Sequence, residues 1–183
     1  MDDVRDITFS ESHNELYISV NKEGGNDCGC VYALTVDNTY GANDMKKLMC
    51  GVPVTADDQG YTCDRNAIAG PDNIMMSDDH NQLFIAEASE NIITANNPPT
   101  SRHAHSNVMW VYDFHSKAIT RILSAPVGGK FTMSSFQRIR GQHYMNVAVK
   151  YPYYQQVDNA ANAQYPVNRQ QASVDCVWPD TNC

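Results

Sequence analysis

No run in these 183 residues approaches the roughly 18 consecutive apolar side chains of a membrane-spanning helix, so no conventional span is expected. Basic charge is scarce: 13 Lys and Arg stand against 21 Asp and Glu, a formal net charge of −8. A field of that sign repels nucleic acid and anionic lipid, so a non-specific grip on either is not expected. The same field favours small cations. The chain has no N-x-S/T sequon, Walker A loop, G-x-S-x-G elbow or H-E-x-x-H pair. It therefore lacks the usual signatures of phosphate-loop, serine-hydrolase and zinc-protease chemistry. The opening Met1–Phe9 has no basic apolar leader, so an exported form is expected to be processed or truncated. What is present suits a folded domain: 42% hydrophobic residues, in a chain long enough to bury about 70% of its surface.

Six cysteines stand at 28, 30, 50, 63, 176 and 183. Cys28 and Cys30 flank Gly29 in a polar stretch, and Cys183 is the last residue. Free cysteines usually sit among apolar neighbours, so this placement points to disulfides and an oxidising, extracytoplasmic compartment: secreted, periplasmic or an organelle lumen. Local loop closure favours the pairs Cys50–Cys63 and Cys176–Cys183. A zinc site is the rival, but the Cys-x-Cys has no second close pair.

The chain echoes itself. Residues 7–19 read ITFSESHNELYIS and residues 74–86 read IMMSDDHNQLFIA. Each has an apolar strand, a polar turn containing His-Asn and a Leu-aromatic-Ile strand, which predicts two hairpins. A looser copy, FQRIRGQHYMNVAV, lies at 136–149. Cys30–Val36 and Met45–Met49 extend the first unit. Asn107–Phe114 and Lys117–Leu123 extend the second. The expectation is an all-β, incomplete β-propeller with two antiparallel blades, part of a third and long loop insertions. Residues 1–152 form the partial propeller, and 153–183 an irregular, Gln- and Asn-rich tail. Because closed propellers hold roughly four to eight blades, further blades are expected from a longer protein, a partner chain or additional copies. An ordinary sandwich is the competing architecture.

Several short motifs resemble PhoX-type alkaline phosphatases and related phosphatase-like propellers. They are Gly70–Ile74 with Leu83–Glu87, Asn107–Tyr112 with Thr120–Leu123, Val147–Pro152, and Arg5–Ile7 with Glu15–Tyr17. Together they lie within residues 4–152. The resemblance implies the C-terminal part of an exported propeller that uses calcium and iron, held mainly by carboxylates, to hydrolyse phosphomonoesters. Residues 128–133 read Gly-Gly-Lys-Phe-Thr-Met where that family has a carboxylate-bearing turn. The Lys130 ammonium reverses the local charge and disfavours a cation nearby.

Three carboxylates are the candidate metal ligands. Asp72 precedes an apolar strand, Glu87 ends one, and Asp6 occupies the position of Asn73 in the repeat. Hard cations take oxygen ligands. A turn cap explains Asp72 equally well, and a solvated strand end explains Glu87. Calcium takes about 6–8 oxygens, so three residues leave most of the shell to water or another polypeptide. His103 and His105, two apart beside Arg102, can share a side of an extended loop. His13, His80 and His143 read as turn residues. Tyr153 and Tyr154 follow Pro152 outside the strand pattern and suit a partner interface. These features favour a non-catalytic propeller-like structural or binding subunit whose open faces are covered by another chain or further copies. A calcium- and iron-dependent phosphomonoester hydrolase is the alternative.

Overall fold

Short runs of alternating apolar side chains, punctuated by Asn, Asp and Gly, condense into strands here. The computed structural model describes residues 3–22, 24–39, 41–56, 62–88, 107–125, 129–150 and 172–178, without the side chains at 133, 134 and 172–178. Among these residues every regular element is a β-strand, apart from one 3₁₀ turn at Asp78–His80. Sheet 1 holds β1 (Val4–Ser10), β2 (Glu15–Val20), β3 (Cys30–Val36) and β4 (Ala42–Cys50), in that order. Sheet 2 holds β5 (Pro71–Ser77), β6 (Gln82–Glu87), β7 (Val108–Asp113) and β8 (Ile119–Ser124), again in order. Sheet 3 holds β9 (Lys130–Ile139), β10 (Gln142–Lys150) and β11 (Ala172–Trp178), with β10 central. All neighbouring strands are antiparallel.

The turns follow from local chemistry. Asn14 and Asn81 end equivalent four-residue turns with φ of 54° each. Asn tolerates this left-handed conformation better than most residues. The third hairpin turns in two residues, Arg140 and Gly141, with φ of 50° and 84°. Positive φ at both positions matches the twist of the flanking strands.

The three sheets are packed face to face in chain order. Tyr17, Val31 and Ala33 of sheet 1 meet Ile74, Leu83, Ile85 and Trp110 of sheet 2. Phe84, Ala86, Met109 and Val111, on the opposite face of sheet 2, meet Phe131, Met145, Val147 and Val149 of sheet 3. β6 is thus apolar on both faces, and each large side chain it buries contributes about 1.5–3 kcal/mol of gross transfer energy. β1 runs beside β5, and β5 beside β9.

Two sequence expectations are corrected. β11 lies in the segment expected to be irregular, where it pairs with β10 from Ala172 to Trp178. Cys50 and Cys63 do not join each other. The disulfides are Cys28–Cys63 and Cys30–Cys50, with Cα separations of 5.7 and 4.0 Å. Register decides the second pair, since the β3–β4 ladder places Cys30 directly opposite Cys50. Cys28 then faces the 51–70 connection, where Cys63 is held by a bridge to Pro53. Close packing fixes this knot. A Cβ on Gly29 (φ +71°) would come within 2.5 Å of the Val20 carbonyl, and one on Gly51 within 2.5 Å of the Cys28 and Ile68 carbonyls. Only glycine fits at either position without backbone movement. The expected Cys176–Cys183 pair lies outside the described side chains.

Candidate functional site

The candidate residues fall into three places: the seam between β1 and β5, the interior end of β6, and the outer face of sheet 1. At the seam, alternate side chains of β1 reach the edge of β5. Asp6 Oδ2 accepts the Ile74 N–H at 3.0 Å and, more weakly, the Asn73 amide at 3.5 Å. Thr8 Oγ1 accepts the Met76 N–H at 3.2 Å. Ser10 and Ser12 donate their hydroxyls to Asp78 Oδ1, and the Glu11 N–H donates to Asp78 Oδ2 at 3.0 Å. Side chains of one sheet thus satisfy outward backbone groups of the next, which an exposed edge strand would leave to water or to another chain. Burial pushes the Asp78 carboxyl up, but the Ser10 and Ser12 hydroxyls and the Glu11 amide outweigh it and hold the group below its ordinary value.

Asp72 lies at the same seam. Its Oδ1 stands 3.8 Å from Arg5 Nε, while Arg5 also binds Asp3 at 2.7 Å. The Asp72 carbonyl accepts the Ser19 hydroxyl. A guanidinium so close competes with a metal cation for the carboxylate. Next to the seam, His13 bridges the Tyr17 hydroxyl and Asn81 Oδ1, both at 2.6 Å, with its ring edge-on to Phe114. Tyr17 donates to Glu15, which also binds Lys46 at 2.8 Å. Burial, then the bond to Glu15, raises the Tyr17 phenol far above its usual range.

Glu87 is fully buried. Its Oε1 accepts the Ala69 N–H at 2.9 Å and the Trp110 indole N–H at 2.7 Å, and its Oε2 accepts the Val108 N–H at 3.0 Å. One carboxylate therefore ties together the 51–70 connection, β6 and the start of β7. Desolvation pushes it up to about 7, opposed by these three donors and the more distant Arg121. The solvated strand end considered from sequence is replaced by an interior anchor.

Asp6 and Asp72 are brought to one seam, while Glu87 turns into the base of sheet 2. Among the described residues no three His, Cys, Asp or Glu side chains converge as a metal site would require. With Glu87 taken by three N–H donors and Asp72 beside Arg5, this donor set does not fit a calcium or iron centre. Lys130 opens β9. His80 accepts or donates at Ser77 Oγ and packs edge-on against His143 at 4.5 Å. Burial, then the neighbouring His143, lowers the His80 value. Tyr153, Tyr154, His103 and His105 lie outside the described residues.

The third place was not singled out by its sequence motifs. On sheet 1, Ile7 pairs with Ile18, Ile18 with Tyr32 and Tyr32 with Lys47. The next row is Phe9, Leu16, Leu34 and Met45. Directly opposed residues share a face, so these eight side chains form one apolar surface with a lysine at its margin. Ile7 is 54% exposed, Phe9 44% and Met45 48%, whereas Tyr32 is buried in a small cluster with Val20 and Cys30. Lys47 lies over the Tyr32 ring at 5.9 Å. The signal was available in the echo, since Ile7 and Phe9 stand where Ile74 and Met76 stand in the second hairpin.

No family model matches this chain, and no curated protein or solved structure matches it.

Proposed function

We propose that the chain is a non-catalytic, propeller-like structural or binding subunit, three blades of an open arc whose first face docks another polypeptide. One observation carries this reading: sheet 2 repeats the outer face of sheet 1 row for row, and there the centre of that face is buried. In sheet 2 the rows are Ile74, Ile85, Trp110, Arg121 and Met76, Leu83, Tyr112, Ile119. Arg121 lies over Trp110 at 4.9 Å, as Lys47 does over Tyr32. Ile74, Leu83, Ile85 and Trp110 are buried against sheet 1. On sheet 1 the same pattern keeps Tyr32 buried but leaves Ile7, Phe9 and Met45 about half exposed, and exposed apolar side chains grouped in this way suit a docking surface.

Radial stacking of blades also accounts for the sheet order, the β1–β5 and β5–β9 neighbours and the seam bonds. The two disulfides fit an oxidising, extracytoplasmic setting. The phosphomonoesterase alternative draws no support from the carboxylates, which are engaged internally.

A photo-reactive phenylalanine analogue at position 9, introduced into the full chain and activated in native material, tests the docking reading. Adducts to a second polypeptide are expected. Labelling confined to the same chain molecule, or none at all, overturns the reading. Turnover of a chromogenic phosphomonoester by the pure chain with calcium and iron, lost in D72A, would restore the enzyme.

A further inference from the structure

The turn histidine of the repeated hairpins meets different company at the two sheet junctions. His13, in the first hairpin, sets its ring nitrogens against two oxygens, Tyr17 Oη and Asn81 Oδ1, both at 2.6 Å. His80 holds the same place in the second hairpin. One of its nitrogens faces Ser77 Oγ at 2.8 Å, and its ring packs edge-on against a second imidazole, His143 of β10, with centroids 4.5 Å apart. Phe136 of β9 lies 6.3 Å from the His80 ring and edge-on to Phe84 of β6 at 4.8 Å. These four rings fasten the turn end of the third hairpin to sheet 2. Beyond them the junction is apolar, where Met145 and Val147 meet Ala86 and Met109.

The charges around this pair do not suit two protons. On the 3₁₀ turn, Asp79 Oδ2 stands 3.9 Å from His143 Nδ1, but its side chain is 71% exposed and screened by water. Asp78 is engaged by Ser10, Ser12 and the Glu11 N–H. β5 and β6 bring the neutral Ser77 and Gln82 to the turn. On β9, Arg138 stands directly opposite His143, and directly opposed side chains share a face. Arg140 follows in the turn, and β11 sets Trp178 opposite His143 in its own ladder. Two imidazolium rings would therefore repel each other and Arg138, with one exposed carboxylate to offset them. Burial, then His143, lowers the His80 value, with Asp79 opposing. The unfolded chain thus binds more protons at this ring than the folded chain. The contribution is present above the unfolded value of 6.5 and is lost as pH falls through the lower folded value.

We propose that His80 and His143 make the turn end of the third hairpin an acid-released clasp. With both rings uncharged it closes on sheet 2, and protonation of the pair frees residues 136–144 while the apolar part of the junction holds. Opening uncovers Phe136 and its partner Phe84, which is buried in the closed form. Histidine is the side chain whose ordinary titration lies in the range where such switches work. The clasp belongs to the junction of sheets 2 and 3 and stands whatever docks on sheet 1.

Hydrogen exchange of the full chain at about pH 7.5 and about pH 5, corrected for the intrinsic pH dependence of amide exchange, tests the clasp. At the lower pH, protection of residues 136–144 is expected to fall at least about fivefold further than that of β6 and β7. That is the factor for two unit charges about 4.5 Å apart in water. H80F and H143F each keep a ring and remove its charge, and each is expected to abolish the pH difference in this segment. Equal protection of residues 136–144 at the two pH values in the wild type overturns the proposal. So does acid loosening that persists in both variants, which would assign it to the carboxylates, or loosening that spreads evenly over all three sheets. If H80F fails to fold, H143F decides alone, since the His143 side chain is 22% exposed and tolerates replacement better.

Discussion

Sheet 1 and sheet 2 are close to a controlled experiment in burial. Corresponding rows are closely matched in one case and similar in the other: Ile-Ile-Tyr-Lys against Ile-Ile-Trp-Arg, and Phe-Leu-Leu-Met against Met-Leu-Tyr-Ile. Ile7 is 54% exposed and its counterpart Ile74 is 4% exposed. Chemistry is shared, and position in the stack differs. At this position burial is set by what lies across the sheet, whereas the counterparts Tyr32 and Trp110 are buried alike, at 3% and 4% exposed. The two sheets also secure themselves differently. Sheet 1 packs on sheet 2 through one side and carries the Cys30–Cys50 disulfide across β3 and β4, with Cys28–Cys63 tying it to the following connection. Sheet 2 is covered on both sides and is anchored by the buried Glu87.

The largest way to break this comparison is to remove the anchor of sheet 2. E87A leaves the Ala69, Val108 and Trp110 N–H groups without their acceptor and is expected to cost about 3–5 kcal/mol, measured by denaturant unfolding. A loss below about 1 kcal/mol would mean that water replaces the carboxylate.

The same group gives a pH signature. Its value rises from an unfolded 4.5 to about 7 on folding. The folded state then binds more protons than the unfolded state between these values. Stability is highest below about pH 4.5 and falls as pH rises towards 7, by roughly 3 kcal/mol. Subtracting the pH profile of E87Q from that of the wild type isolates this slope, and an unchanged profile refutes the assignment. Asp78, held below its ordinary value, has the opposite sign: its contribution is present above the unfolded value of 3.8 and is lost as pH falls through the lower folded value.

Cutting the sheet 1 staple comes next. C30S/C50S removes a cross-link spanning 20 residues of sequence and is expected to cost about 3 kcal/mol. Hydrogen exchange should quicken in β3 and β4 before it does in β6 and β7. Simultaneous loosening of both sheets would show that they are one cooperative unit.

Paired truncations sharpen the contrast directly. L83A is expected to cost about 3 kcal/mol and its counterpart L16A about 1 kcal/mol in dilute solution, because Leu83 is fully buried and Leu16 only half-buried. Equal losses would mean that the sheet 1 face is already covered. The smallest effect is at the seam: T8V removes the acceptor of the Met76 N–H and should cost about 1 kcal/mol, seen as faster exchange at that amide.

The first two hairpins were legible because their information is local. An Asn in the left-handed region ends each turn, and each pair of strands alternates within a dozen residues. The third hairpin was legible more loosely: its apolar alternation is weaker, but Arg140–Gly141 still marks the turn. β11 was not legible. Its partner β10 ends at Lys150, more than 20 residues earlier, and nothing in a Gln- and Asn-rich segment announces so distant a pairing. Asp6 and Asp72 were read from the sequence as candidate metal ligands; folding sets them at the seam, with Ile74 and Arg5 as their partners. Glu87 looked like a strand end because its three donors come from residues 69, 108 and 110, which only folding brings together.

By itself the sequence determined the β class, the hairpin turns, the repeat and the presence of disulfides. Each of these rests on interactions between residues near in the chain or on the residue type alone. Tertiary structure decided which cysteines meet, which of two similar faces is buried and whether a carboxylate faces solvent or the interior. Cys30 meets Cys50 through ladder register, and Ile74 is buried against sheet 1 while its counterpart Ile7 is exposed. Such outcomes depend on distances across the fold, and alternation along a strand carries no information about what stands on its other side.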